Sequence, residues 1–256
     1  MKQIPNIFTL LNLFFGCLAI VFALQTESVN IYQSEDLTTS FSMPEKLVFA
    51  SLCIGIAAVI DFLDGFVARL LKAGSELGKQ LDSLSDIVSF GAAPSMILYQ
   101  FLRLSFIQQE DVFSLGIGWL LPAFVFACAG AYRLGRFNLE EPGKPGFTGV
   151  PIPAAGLVVA SLPLIAYYNY FNGSVNGVLF NSWFLYAVII ILSLLMVSRM
   201  PMLSLKFSNY TIKGNIPKVI LMVIAVLAAL FLQWLAVPVV FICYIALSLA
   251  LKNKSV

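Results

Sequence analysis

Four aspartates stand within residues 61–86 of a 256-residue chain that holds only 13 Asp and Glu in all. They come as two pairs, Asp61 with Asp64 and Asp82 with Asp86, and each pair borders an apolar stretch. At 3.6 residues per turn, the members of each pair share one helix face. Ionised carboxylates at membrane depth are costly unless a cation compensates them. Four hard oxygen donors, with no His or thiolate beside them, suit Mg²⁺ or Mn²⁺, and Ca²⁺ also fits. Carboxylate-bound Mg²⁺ commonly shares its shell with substrate phosphate. Gly65 and Gly78 lie within about one helical turn of an aspartate, where a missing side chain lets a ligand approach the backbone. Ala68 and Arg69 continue the first helix, and Arg69 sets a fixed positive charge beside the carboxylates, suited to a phosphate. A structural reading competes with this one: the aspartates would pair with Arg69, Lys72 and Lys79, and the glycines would serve close helix packing.

The elements that must carry these residues are membrane helices. The chain is 60% hydrophobic and 11% charged, against about 25% charged residues in soluble domains. The expected fold class is all-α integral membrane, a helical bundle of about eight transmembrane helices in a single domain over residues 1–256. The spans are expected near 5–24, 45–68, 81–101, 115–136, 149–169, 182–198, 216–232 and 235–251. The first is read as a retained helix rather than a signal peptide, because Asn6, Thr9 and Asn12 interrupt it and no clean cleavage site follows. With the N-terminus in the cytoplasm, every Lys and Arg except Lys46 and Arg103 falls inside, while Glu27, Glu35, Asp36, Glu45, Glu110 and Asp111 fall outside. That threading puts all four aspartates at the cytoplasmic edge of a multi-pass protein, with a prokaryotic cell membrane as the expected location. Gly74 and Ser75 suit a helix stop followed by an N-cap, so the two carboxylate pairs face each other from antiparallel helices.

Composition also excludes several chemistries. The chain has no histidine, which removes His-based triads, metal sites and proton shuttles. Cys17, Cys53, Cys128 and Cys243 are isolated in apolar runs and suggest neither zinc nor disulfides. A net charge of +2 without basic tracts gives no reason to expect nucleic acid.

The eight specified positions of D-x-x-D-G-x-x-A-R-x8-G-x3-D-x3-D are all present between Asp61 and Asp86. This pattern resembles the signature of the CDP-alcohol phosphatidyltransferases, membrane enzymes that move a phosphatidyl group from a CDP-linked lipid to an alcohol. The resemblance implies that Asp61, Asp64 and Asp82 are metal ligands. It implies that Asp86 helps hold a second metal and acts as base toward the acceptor hydroxyl. Gly65, Ala68, Arg69 and Gly78 would line the CDP pocket. It further implies a homodimer built on a six-helix core, so eight spans mean two added helices.

Other segments resemble the branch of that family whose acceptor is serine and whose donor is CDP-diacylglycerol. They are residues 4–12, 81–94, 132–138, 147–153 and 195–201. One departure is Gly135, where Ala is expected between the two arginines. Arg133 and Arg136 are three apart on one helix face and suit an anion, either the serine carboxylate or a lipid phosphate; positive-inside anchoring is the alternative. Asn6, Thr9 and Asn12 recur at three-residue steps and could hydrogen-bond the nucleotide or its diphosphate, or else a neighbouring helix. Pro151 and Pro153 are expected to open or kink the start of the fifth span. Glycerol 3-phosphate or an inositol phosphate are the competing acceptors. A carboxylate-based cation transporter is the competing class, although such sites usually lie at the midplane in broken helices.

Overall fold

In a bilayer each backbone N–H and C=O must be satisfied inside the protein, and an apolar run achieves this most simply as a helix. The computed structural model follows that rule and describes residues 4–25, 45–71, 75–108, 116–139, 147–168, 174–203 and 215–250. Its elements begin with α1 (Ile4–Leu24), α2 (Glu45–Leu70) and α3 (Glu76–Asp86). A π-helical segment (Ile87–Ala92) carries α3 without a break into α4 (Ala93–Gln108). Two 3₁₀ turns, Ile117–Trp119 and Leu121–Phe124, lead into α5 (Val125–Leu139). There follow β1 (Phe147–Thr148), α6 (Ile152–Tyr168), α7 (Ser174–Leu179), α8 (Ser182–Val197), β2 (Pro201–Met202), α9 (Ile216–Leu232) and α10 (Ala236–Ala250).

Each of the eight expected spans falls on a helix. By length and composition, Pro5–Leu24, Glu45–Leu70, Glu76–Ile107, Ile117–Leu139 and Ile216–Ala250 can cross a membrane, and α6 and α8 are shorter apolar helices. The chain is a multi-pass integral membrane protein. The third span starts earlier than hydropathy suggests, because α3 is an amphipathic extension with too little apolar surface to register. Ser75 is its N-cap, and the Ser75 hydroxyl accepts from Gly78 N at 3.0 Å. The last stretch is divided at Gln233, the one non-glycine residue with positive φ (49°) among the described residues. There α9 and α10 fold back on each other. Gly74, Lys72, Lys144, Lys206 and the polar connection 26–44 lie outside the described residues.

The core forms where α4 and the π segment meet α5 and α6, around the fully buried Phe90, Ile97, Phe101, Phe126 and Ile152. Backbone-level approach makes this possible. A Cβ on Gly156 of α6 would lie 2.8 Å from the Phe90 carbonyl oxygen. The outward faces stay apolar and exposed, as on α9 with Met222, Val226 and Phe231.

Two segments distant in sequence close together near α5. β1 and β2 pair antiparallel, Phe147 with Met202 and Thr148 with Pro201. Gly149 N donates to Met200 O (2.9 Å) and Val150 N to Leu195 O (3.1 Å). α10 holds the far side: Tyr244 Oη donates to Leu203 O (3.0 Å), and Ser248 Oγ accepts from Leu203 N (3.1 Å). Gly149 has φ 74°, and a Cβ there would stand 2.5 Å from Met196 O and 2.8 Å from Ser198 O. A Gly149→Ala variant should therefore lose about 2 kcal/mol or more of stability, combining the left-handed backbone cost with a backbone collision. Thermal melting of the detergent-purified variant checks this, and an unchanged melting temperature would contradict it.

Candidate active site

Three helices build the carboxylate site. α1 packs along α2, and α3 and the π segment pack against α1. Serines at a helical spacing of four stitch the contact: Ser85 Oγ donates to Thr9 O (2.9 Å) and Ser89 Oγ to Asn12 O (3.0 Å). Asn138 Nδ2 of α5 donates to Ser83 Oγ (2.8 Å), bringing α5 beside α3. These bonds hold the face of α3 that carries Asp82 and Asp86 toward the end of α2.

The two pairs converge as their spacing requires. Asp61, Asp64 and Asp82 each offer a carboxylate oxygen, and the three oxygens lie within 4.8 Å of one another. Oxygens bound to one cation at about 2.0–2.6 Å are separated by at most about 4–5 Å, so this spacing suits a shared divalent ion. Asp86 lies behind them, within hydrogen-bonding reach of Asp61. Its Oδ1 is buried and has no hydrogen-bond partner among the described residues. The charges acting on Asp61, Asp82 and Asp86 come from other carboxylates of the cluster rather than from Arg69 or Lys79. Crowded like charges with an orphaned buried oxygen are what a bound cation relieves. The donor set, all hard oxygen, fits a divalent metal.

Beside the cluster is a cavity of about 240 Å³, lined by Asn6, Thr9, Asp64, Gly65, Ala68, Gly78 and Asp82 together with Pro5, Ser75 and Lys79. Seven residues singled out in the sequence therefore share one wall. A Cβ added to Gly65 would meet nothing within 4 Å, which leaves open space beside Asp64. Gly78 is tighter: a Cβ would press on Asn6 Oδ1 and Ser75 Oγ, both at 3.1 Å. The Thr9 hydroxyl is 2.9 Å from Asp64 Oδ2 and 3.1 Å from Pro5 O, and its single proton serves one of them at a time. Thr9 thus combines the interhelical role with a place on the cavity wall.

The remaining candidates are placed differently. Arg69 is exposed on the last turn of α2 and does not line the cavity. Asn12 is fully buried, and neither of its amide atoms has a hydrogen-bond partner among the described residues. Arg133 is buried on α5, with its guanidinium carbon 5.7 Å from the centre of the Phe137 ring. Arg136 donates to Val197 O (2.9 Å), Ser198 O (3.0 Å) and Thr148 Oγ1 (3.4 Å). It ties the C-terminus of α8 to the β1 segment, a position where a cation also meets the helix dipole favourably. Sequence reasoning did not find Ser85, Ser89 and Asn138 as stitches or Lys79 as a cavity wall residue. Ser85 and Ser89 lie in the 81–94 segment, Asn138 in the 132–138 segment and Lys79 next to Gly78 of the signature, so the places carried a signal but the roles did not.

Residues 2–195 match the family model described as CDP-alcohol phosphatidyltransferase. Among curated relatives, a CDP-diacylglycerol–serine O-phosphatidyltransferase of Helicobacter pylori is 34% identical over 233 residues, covering 90% of this chain and 81% of the relative. A protein of the same name in Mycobacterium tuberculosis is 31% identical over 253 residues, covering 95% and 76%. Another in Methanocaldococcus jannaschii is 32% identical over 195 residues, covering 76% and 71%. The family match runs through every residue of the carboxylate cavity, and the chain belongs to the CDP-alcohol phosphatidyltransferase family.

Proposed function

We propose that this chain transfers the phosphatidyl group of CDP-diacylglycerol to L-serine, giving phosphatidylserine and CMP. The observation that carries the reading is the convergence of Asp61, Asp64 and Asp82 on one point beside a glycine-framed cavity, with Asp86 buried behind. The serine acceptor is supported by relatives so named in bacteria and an archaeon. Asp61, Asp64 and Asp82 would hold a divalent cation, Mg²⁺ or Mn²⁺, and Asp86 would contribute to a second. When bound, the metal supplies charge neutralisation to the donor diphosphate. Gly65, Ala68 and Gly78 leave room for the nucleotide, Asn6 and Thr9 offer it hydrogen bonds, and Lys79 adds positive charge on the cavity wall.

Asp86 takes the proton of the serine hydroxyl as that oxygen attacks the phosphorus attached to diacylglycerol. The bond from this phosphorus to the bridging diphosphate oxygen breaks, and its electron pair leaves with CMP. A single displacement suits a site in which, among the described residues, no Cys stands beside the aspartates and the chain has no His. The whole chain acts as one membrane domain, as a homodimer, with its N-terminus and the cavity on the cytoplasmic side. That orientation rests on the distribution of Lys and Arg.

Arg136 is occupied by the α8 carbonyls, so Arg133 is the arginine assigned to the serine carboxylate. Replacing Arg133 with Gln should raise the KM for serine roughly 10–150-fold, the loss of one charge-assisted hydrogen bond, and leave the KM for CDP-diacylglycerol nearly unchanged. Serinol, which lacks the carboxylate, should be a poor acceptor for wild type and no worse for the variant. An unchanged serine KM assigns Arg133 to membrane anchoring and moves the acceptor site elsewhere.

A further inference from the structure

The last helix, α10, has no residue on the carboxylate cavity, yet it is tied to the arginine turn of α5. Tyr244 and Ser248 are buried on α10, about one turn apart. They grip Leu203 by both of its backbone polar groups. Tyr244 Oη donates to Leu203 O (3.0 Å) and Ser248 Oγ accepts from Leu203 N (3.1 Å), while the Ser248 hydroxyl donates to Tyr244 O (2.7 Å). Leu203 directly follows β2, which pairs with Phe147 and Thr148 of β1. The strap formed by residues 197–203 meets α5 through Arg136, which donates to Val197 O, Ser198 O and Thr148 Oγ1. Arg133 is buried one turn earlier on α5, and its charge acts on the Tyr244 hydroxyl. The strap and Tyr244 thus bracket the arginine turn, one by hydrogen bonds to Arg136 and the other by its place near Arg133. Leu203, Tyr244 and Ser248 all lie beyond residue 195, so the clamp is outside the stretch that the family model matches.

We infer that Tyr244 is a positioning residue for Arg133: by holding Leu203 it fixes the strap and the arginine turn of α5, and so sets the affinity for the acceptor carboxylate without touching the donor. The inference rests on the proposed assignment of Arg133 to the serine carboxylate. A long side chain grips an anion well only when its rotamer is fixed beforehand, because ordering it on binding costs affinity. Within α5 the contact shown for the Arg133 guanidinium is the face of Phe137, which leaves the head group to be oriented from neighbouring elements. The Tyr244 hydroxyl spends its one proton on Leu203 O, so it acts by placement and not as a proton donor to substrate. Loss of that bond leaves a carbonyl unpaired and the strap held by Ser248 alone.

The test uses the full-length purified chain in detergent with Mg²⁺ or Mn²⁺, and reads the KM for serine, the KM for CDP-diacylglycerol and the melting temperature. Tyr244→Phe keeps the ring and removes the bond to Leu203 O. It should raise the serine KM roughly three- to tenfold, the scale of one neutral hydrogen bond, and leave the CDP-diacylglycerol KM within about twofold. Tyr186→Phe is the matched control. Tyr186 Oη also donates to a backbone carbonyl, Trp119 O at 2.7 Å, but at the end of α5 away from Arg133. It should leave both KM values unchanged whatever it does to melting. Added to Arg133→Gln, Tyr244→Phe should have little further effect on serine, because both act on one contact. The inference is overturned by a serine KM that Arg133→Gln raises and Tyr244→Phe does not, by two KM values that rise together, or by a full second effect in the double variant. Should Tyr244→Phe not fold, Ser248→Ala, which removes the acceptor for Leu203 N, decides by the same split. A serine KM unmoved by Arg133→Gln would instead refute the Arg133 assignment, and the inference with it.

Discussion

An Asp86→Asn variant should lose about 10²–10⁴ in turnover, the usual contribution of a general base, while CDP-diacylglycerol binding stays close to wild type. The substitution keeps the shape of a side chain that is 9% exposed and removes the proton acceptor. Asp86 is not one of the three converging oxygens but lies within hydrogen-bonding reach of Asp61, and its Oδ1 is buried without a hydrogen-bond partner among the described residues. A buried acceptor left unused by the fold is available for a substrate proton or a second cation. Turnover in single-turnover assays with pre-bound donor separates chemistry from binding. Wild-type rates in that assay would remove Asp86 from the chemistry.

The second large effect concerns the triad. Asp61→Asn, Asp64→Asn and Asp82→Asn should each reduce activity by more than about 100-fold, since even residues behind metal ligands commonly contribute 10–100-fold. Combining two of these changes should add little, because the three oxygens act on one point and their effects are not additive. Excess chelator should abolish activity in the wild type, and Mg²⁺ or Mn²⁺ should restore it. Cation binding followed directly by calorimetry should weaken in each variant. Asp64→Asn has a second consequence, since it alters the acceptor of the 2.9 Å contact from Thr9 that ties α1 to α2. Its melting temperature should therefore fall more than that of Asp61→Asn. Full activity of metal-stripped protein in chelator would refute the metal site.

How far the sequence reached depends on the range of the physics involved. The aspartate faces were legible because helical periodicity is local: spacings of three and four fix a shared side. The Ser75 cap was legible for the same reason, as a Ser three residues before Gly78 needs only one turn of helix to be satisfied. The early start of α3 was not legible in hydropathy, because its polar surface hides it, and only the cap marked it. Nor was the π segment directly after Asp86, which depends on packing against α1, α5 and α6 rather than on any local preference. Arg136 shows the limit most clearly. Its spacing from Arg133 suggested a paired anion site, yet its partners are carbonyls about sixty residues further along the chain. The segments 147–153 and 195–201 were noticed separately, and their pairing through β1 and β2 appears only in three dimensions. The last two helices looked featureless, but Tyr244 and Ser248 hold Leu203.

The central claim is that this carboxylate site joins a phosphatidyl group to serine. The most direct measurement supplies purified protein with CDP-diacylglycerol, a divalent cation and one acceptor at a time: L-serine, glycerol 3-phosphate or an inositol phosphate. CMP release and the lipid product are followed together. CMP formed with serine alone, in equal amount to phosphatidylserine, is the result expected. CMP formed with a phosphorylated acceptor and not with serine would contradict the claim while leaving the metal site and the family intact.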